Sequence, residues 1–336
     1  MTRTIIFVVL WFIGFLGELS AEDRIVMRTA GGSRIGMPCI ILDYTGREAT
    51  YQTKPGGAAR RLPRREILDV ATHLTPAHAE GKDLLAKGQA REAFVRLDGA
   101  LEQEQRVWVR REILALQIKC ALWNGDRAAA GERFLAIFDS DPETLYFRLM
   151  PLAWSEDTPT PELARTARQW MSQQENAAAV LLGASHLLTL PDQAHSAVAA
   201  LKTLARSANA DIQRYAQIQL WRAKTLTEDV PRDELLRWER SFDDAGGDLG
   251  GGPRYILGLG WHRRHDDVAA AATWLWLPFV SGDDRWLAAQ AAWNAGQALR
   301  RAGQHAEASA IVDEIARRYA DTPYGPRAAA VNERSP

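Results

Sequence analysis

One spacing recurs through residues 76–331 of this 336-residue chain and restricts its fold more than any other feature. A small residue is followed three positions later by an apolar one. An alanine stands nine further on, and apolar residues come four and seven after that. Gly81, Leu84, Ala93, Leu97 and Ala100 satisfy the pattern. Ile118, Ala121, Ala130, Phe134 and Ile137 repeat it with Ile118 in the small-residue place, and Pro142 closes the unit. Gly258, Trp261, Ala270, Trp274 and Leu277 form a third copy, and Gly296, Leu299, Ala308, Val312 and Ile315 a fourth. Ala93 and Ala130 stand 37 residues apart, Ala270 and Ala308 stand 38 apart. Such periods mark helical hairpins that bury their apolar faces by stacking on one another. Small residues belong where the two helices cross closely, and Gly88 and Gly303 stand where the first helix of a hairpin should stop.

Between these copies, residues 162–244 contain helical runs without the full pattern, and His195 stands where an alanine is expected. They are read as two degenerate hairpins, which gives six in all: two in 76–150, two in 162–244 and two in 254–331. Residues 151–161 (PLAWSEDTPTP) form a connecting loop, since each proline disfavours helix in the residue before it. Residues 245–253 (AGGDLGGGP) read as a flexible joint.

The pattern resembles the tetratricopeptide repeat family over most of 76–331. The last unit (AGQHAEA, then RRYADTPYGP, from Ala302 to Pro326) resembles the ending of periplasmic Tol-associated repeat proteins, with His305 replacing an aromatic residue. The resemblance implies a mainly α fold, a solenoid of antiparallel hairpins, and an adaptor role with a protein or peptide partner.

The N-terminal end differs. Arg3 precedes a 14-residue apolar run, Thr4 to Gly17, and Ala21 supplies a small residue at its end. This describes a secretory signal peptide over 1–21, shorter than the roughly 18–20 residues that cross a bilayer. The expected location is the periplasm or the exterior, with an uncleaved segment as the only route to membrane attachment. Residues 22–72 then read as five short strands separated by turns at Gly31-Gly32, Gly46 and Gly56-Gly57. Five such strands bury little in a flat sheet, so a small antiparallel β barrel is expected. The turn spacing resembles SH3-like and Sm-like barrels.

Charge assigns no partner. The net −1 gives no whole-chain attraction to nucleic acid or anionic lipid. Locally, residues 22–75 carry nine Lys/Arg against six Asp/Glu, and Arg60, Arg61, Arg64 and Arg65 form a basic patch. Interleaved aromatics of the kind that stack on bases are nearly absent there. Cys39 and Cys120 fall in unlike structure, one β and one helical, and read as two separate buried thiols.

No spacing identifies a catalytic group, a metal site or a cofactor. His262 and His265 with Asp266 and Asp267 are the one metal-like cluster, but they fall where one helix ends and the next begins. The glycines of 246–252 lack the Lys-Ser/Thr ending of a P-loop. Ser185 lies in GASHL, without the second glycine of a nucleophile elbow. A binding groove is expected on the helix face turned away from the crossing glycines: Tyr255, Leu259, His262 and Arg263, then Trp293, Gln297, Arg300 and Arg301. Aromatic anchors beside arginine suit a polypeptide bearing a carboxylate. The sequence therefore points to a non-enzymatic protein-binding scaffold of the cell envelope. The alternatives are an envelope enzyme with a dispersed site, and binding of wall polymer or nucleic acid through the basic patch.

Overall fold

The computed structural model describes residues 23–28, 32–244 and 249–332. The expected signal segment, 1–21, lies outside the described residues, as do 245–248 of the glycine-rich joint.

Five strands open the fold: β1 (Asp23–Arg28), β2 (Arg34–Tyr44), β3 (Glu48–Gln52), β4 (Arg60–Pro63) and β5 (Ile67–Ala71). Period-two alternation sets their faces. Cys39 and Ile41 of β2, Ala49 and Tyr51 of β3, Ile25 of β1 and Ile67 of β5 are all buried in one cluster. The sheet is antiparallel with order β4-β3-β2-β1-β5, so β4 and β5 are its two edges and it does not close into a barrel. The expected closure fails for two reasons. β4 has only four residues, and its Pro63 cannot donate to a ladder. The apolar face is covered instead by helices: Ala77, Ala93, Leu97, Trp108, Val109 and Ile113 belong to the same cluster as the strands. Charged groups bolt the two parts together. Gly46 N–H donates to Asp141 at 3.0 Å, Arg111 bonds Asp43, and Arg106 reaches Thr72 at 2.6 Å and the His73 carbonyl at 2.9 Å.

Fourteen α-helices follow among the described residues: α1 (Pro76–Ala86), α2 (Ala90–Gln103), α3 (Val107–Trp123), α4 (Arg127–Ser140), α5 (Pro161–Ser172), α6 (Ala177–Leu187), α7 (Ala194–Leu204), α8 (Ala210–Thr227), α9 (Arg232–Asp244), α10 (Gly252–Arg263), α11 (Asp267–Val280), α12 (Arg285–Arg301), α13 (His305–Arg318) and α14 (Tyr324–Asn332). Consecutive helices pack on one another: α1 on α2, α3 on α4, α5 on α6, α7 on α8, α10 on α11 and α12 on α13, and equally α2 on α3, α6 on α7, α11 on α12 and α13 on α14. The four well-marked pairs share one turn. The first helix ends just before a residue of positive φ, namely Gly88 (81°), Gly125 (77°), His265 (59°) and Gly303 (78°). The His262-to-Asp267 run is thus a helix stop and start: His265 N–H bonds the His262 carbonyl at 2.9 Å, and Asp266 caps α11 through Ala269 N–H.

The chain end returns to its early hairpins. Trp286 Nε1 donates to the Trp123 carbonyl at 3.0 Å, and Arg127 binds Asp284 at 2.9 Å. Lys119 pairs with Asp283 at 2.9 Å, and Arg285 stacks over the Trp123 ring at 4.8 Å. A single apolar cluster runs from Leu114 of α3 to Ala308 of α13.

Candidate functional site

The loop read from the prolines of 151–161 is irregular, as expected, but only its second half lies on the surface, with Glu156, Asp157, Thr158 and Thr160 exposed. Met150, Pro151, Leu152 and Trp154 are buried, and Leu152 is fully enclosed. An extended backbone inside a protein must have its polar groups satisfied. Here side chains of α6 and α8 do so. His186 Nε2 donates to the Pro151 carbonyl at 3.0 Å, and Gln219 Nε2 to the Ala153 carbonyl at 2.9 Å. Ala153 N–H donates to Ser185 Oγ at 3.2 Å. Arg222 donates to the Ser155 carbonyl through Nε (3.1 Å) and Nη2 (2.6 Å), and to the Ser185 carbonyl through Nη1 (2.7 Å). Ser185 sits in the last turn of α6, where carbonyls lack helical partners and a cation is favoured.

Burial governs the charges. It pulls the Arg222 guanidinium down to about 10, so the group stays protonated at neutral pH. Burial, with Arg127 nearby, pushes His186 down to about 3, so the ring is neutral and Nε2 is its donor. Ser185 and His186, adjacent in a polar pocket, are therefore engaged in holding main chain. Farther along, Arg263 pairs with Glu156 at 2.7 Å and Gln290 Nε2 donates to Asp157 at 2.7 Å. Residues 150–157 form a strap held by α6, α8, α10 and α12.

Two residues of the expected groove lie in the interior. Tyr255 and Leu259 are each 2% exposed, because α10 is enclosed by α8, α9, α11 and α12. The Tyr255 hydroxyl accepts from Asn294 Nδ2 at 2.9 Å. His262 Nδ1 accepts from Arg301 at 3.1 Å, and Arg301 pairs with Asp267 at 2.9 Å. Trp293 is half-buried against Tyr324, Gln297 is half-buried, and Arg300 is exposed. These residues divide among the interior, one ion-pair cluster and the surface. In the basic patch, Arg60 and Arg65 are exposed, Arg61 lies 3.4 Å from Glu48, and Arg64 turns back to the Ile67 carbonyl at 2.7 Å.

Open space lies beside the strap instead. A cleft of about 470 Å3 is bounded by the strap, the starts of α4, α5 and α12, and the turn into α14. Arg127, Asp157, Trp286, Gln290, Tyr324 and Arg327 line it. Arg127 Nη1 is buried with no partner among the described residues, while its Nη2 holds Asp284. Burial and nearby Asp157 push the Tyr324 phenol up to about 12, so it remains a hydroxyl. Sequence reasoning missed these residues, because chain closure alone brings α4, α12 and α14 together.

No protein-family model matches the chain, and no curated protein or solved structure matches it either. Among the described residues, no group of three His, Cys, Asp or Glu is placed to hold a metal ion, and no helix is long and apolar enough to cross a membrane.

Proposed function

We propose that the chain is an exported, non-enzymatic scaffold of the tetratricopeptide type that binds another polypeptide in the cleft beside its strap. The export component rests on the composition of residues 1–21, and the repeat component on the paired helices with their shared turn. The strap carries the binding component. The inner face already grips an extended main chain through side chains, and the cleft runs along that same main chain. Trp286 and Tyr324 offer flat amphipathic anchors, and Arg127 a guanidinium N–H without a partner among the described residues, as polypeptide-binding sites favour. Ser185 and His186, the nearest pair to a catalytic constellation, are engaged by Ala153 and Pro151, which favours binding over hydrolysis.

A photoreactive benzophenone side chain placed at Tyr324 in cells is expected to crosslink an envelope polypeptide, and the same group at Arg300 is not. Tyr324→Ala combined with Arg327→Glu is expected to weaken that polypeptide's binding at least tenfold. Equal crosslinking from both positions, or unchanged affinity in the double variant, would refute the site.

A further inference from the structure

A second cleft, sharing no lining residue with the first, separates the sheet from α3. It encloses about 590 Å3 between Leu68, Asp69 and Val70 of β5 and Trp108, Glu112 and Leu116 of α3. β5 is an edge strand, paired with β1 and with no other described strand. Main-chain groups on an edge need partners, and proteins often supply them locally to block further pairing. Here two side chains stand in. Val70 N–H donates to the carboxylate of its own neighbour Asp69 at 2.9 Å, and the Ile67 carbonyl accepts from Arg64 at 2.7 Å.

The cleft also has a charge preference and an unmet donor. Arg64, Lys82, Lys119 and Arg148 line it; Lys82 pairs with Glu112 at 2.9 Å, and Lys119 and Arg148 share the Asp283 carboxylate at 2.9 and 3.8 Å, which with Asp69 leaves four cations against three carboxylates. Trp108 is 4% exposed, and its indole N–H has no partner among the described residues. An added strand lies about 4.8 Å from its neighbour, and a volume of this size admits a few residues in extended form.

We infer that an extended acidic segment of another polypeptide adds to β5 as a further strand, lying in the cleft between the sheet and α3. Its main chain takes over the groups now held by Asp69 and Arg64, and its carboxylates meet Lys82 and Arg148. Strand addition of this kind draws affinity from backbone bonds and specificity from alternate side chains.

The test uses the full chain and three N-acetylated hexapeptides that alternate valine with glutamate, threonine or lysine. The glutamate peptide is expected to bind and to slow exchange of the Val70 amide at least tenfold, and the lysine peptide is not. N-methylation of alternate peptide amides is expected to abolish binding. Asp69→Ala, at an exposed position, uncovers the Val70 amide and removes a like charge, so it should tighten the glutamate peptide severalfold. Arg148→Glu should weaken it by a similar factor. The proposal is overturned if none of the three peptides protects Val70, if the lysine peptide binds as well as the glutamate one, or if N-methylation has no effect.

Discussion

Gly258 and Gly296 occupy the same place in the repeat, yet alanine at the two positions is expected to act in opposite directions. A Cβ on Gly258 would lie 2.6 Å from both Cδ1 and Nε1 of Trp274 and 2.9 Å from Cε2. That indole is rigid, 1% exposed, and fixed by its N–H bond to the Tyr255 carbonyl at 3.1 Å. Displacing it costs about 1–3 kcal/mol as overpacking, and loss of the bond costs about 1 kcal/mol more. The better helix propensity of alanine offsets about 1 kcal/mol. A net loss of about 1–3 kcal/mol follows. A Cβ on Gly296 meets Ile311 at 3.6 Å and the Ala308 carbonyl and Val312 at 3.8 Å, which is ordinary contact. Gly296→Ala therefore keeps the propensity gain, up to about 1 kcal/mol. Urea unfolding of both variants, with unchanged dependence on denaturant, reads the difference as shifted midpoints. Equal destabilisation by the two substitutions would refute the account of close crossing in the α10–α11 hairpin.

His265 is the one non-glycine residue of positive φ among those described, at the turn where the other well-marked hairpins use glycine. His265→Gly should raise stability by about 0.5–1 kcal/mol, measured by thermal unfolding, and a loss would contradict the shared-turn assignment. His186 carries a pH signature. Its folded value of about 3 lies below the unfolded 6.5, so its contribution is full above pH 6.5 and is lost as pH falls toward 3. Between those limits it adds a slope of about 1.4 kcal/mol per pH unit. His186→Gln, which retains a donor for the Pro151 carbonyl, should flatten urea stability against pH over that window, and an unchanged slope would contradict the buried neutral ring. Burial pushes the Cys120 thiol up to about 12. Mass mapping after alkylation at pH 8 should find Cys120 modified only in denaturant, and rapid labelling of the folded chain would show the helix packing to be wrong.

The paired helices were legible because Gly81, Ala93, Gly258 and Ala270 recur at a spacing set by close helix crossing. The strap was not. Its grip comes from Ser185, His186, Gln219 and Arg222, polar residues on helices of the segment read as degenerate hairpins. Those four side chains are fully or almost fully buried, and that inward-facing polar set was the available signal for a backbone running through the interior. Tyr255 and Leu259 were misplaced because an open stack was assumed. With α10 enclosed by α8, α9, α11 and α12, Tyr255 and Leu259 become core. The strands were found by alternation and Gly/Pro turns. The barrel was inferred from turn spacing and from the need to bury their apolar face, a need that Ala93, Leu97 and Trp108 meet from the helical side. Asp157, Trp286 and Tyr324, far apart in sequence, carry no local pattern that could announce a common cleft.

Amide exchange of the full chain, free and with the polypeptide crosslinked at Tyr324, is the most direct measurement. Protection confined to 153–160, 286–290 and 323–327 is the predicted result. Protection centred on 297–301 with the strap region unchanged would contradict binding beside the inner chain.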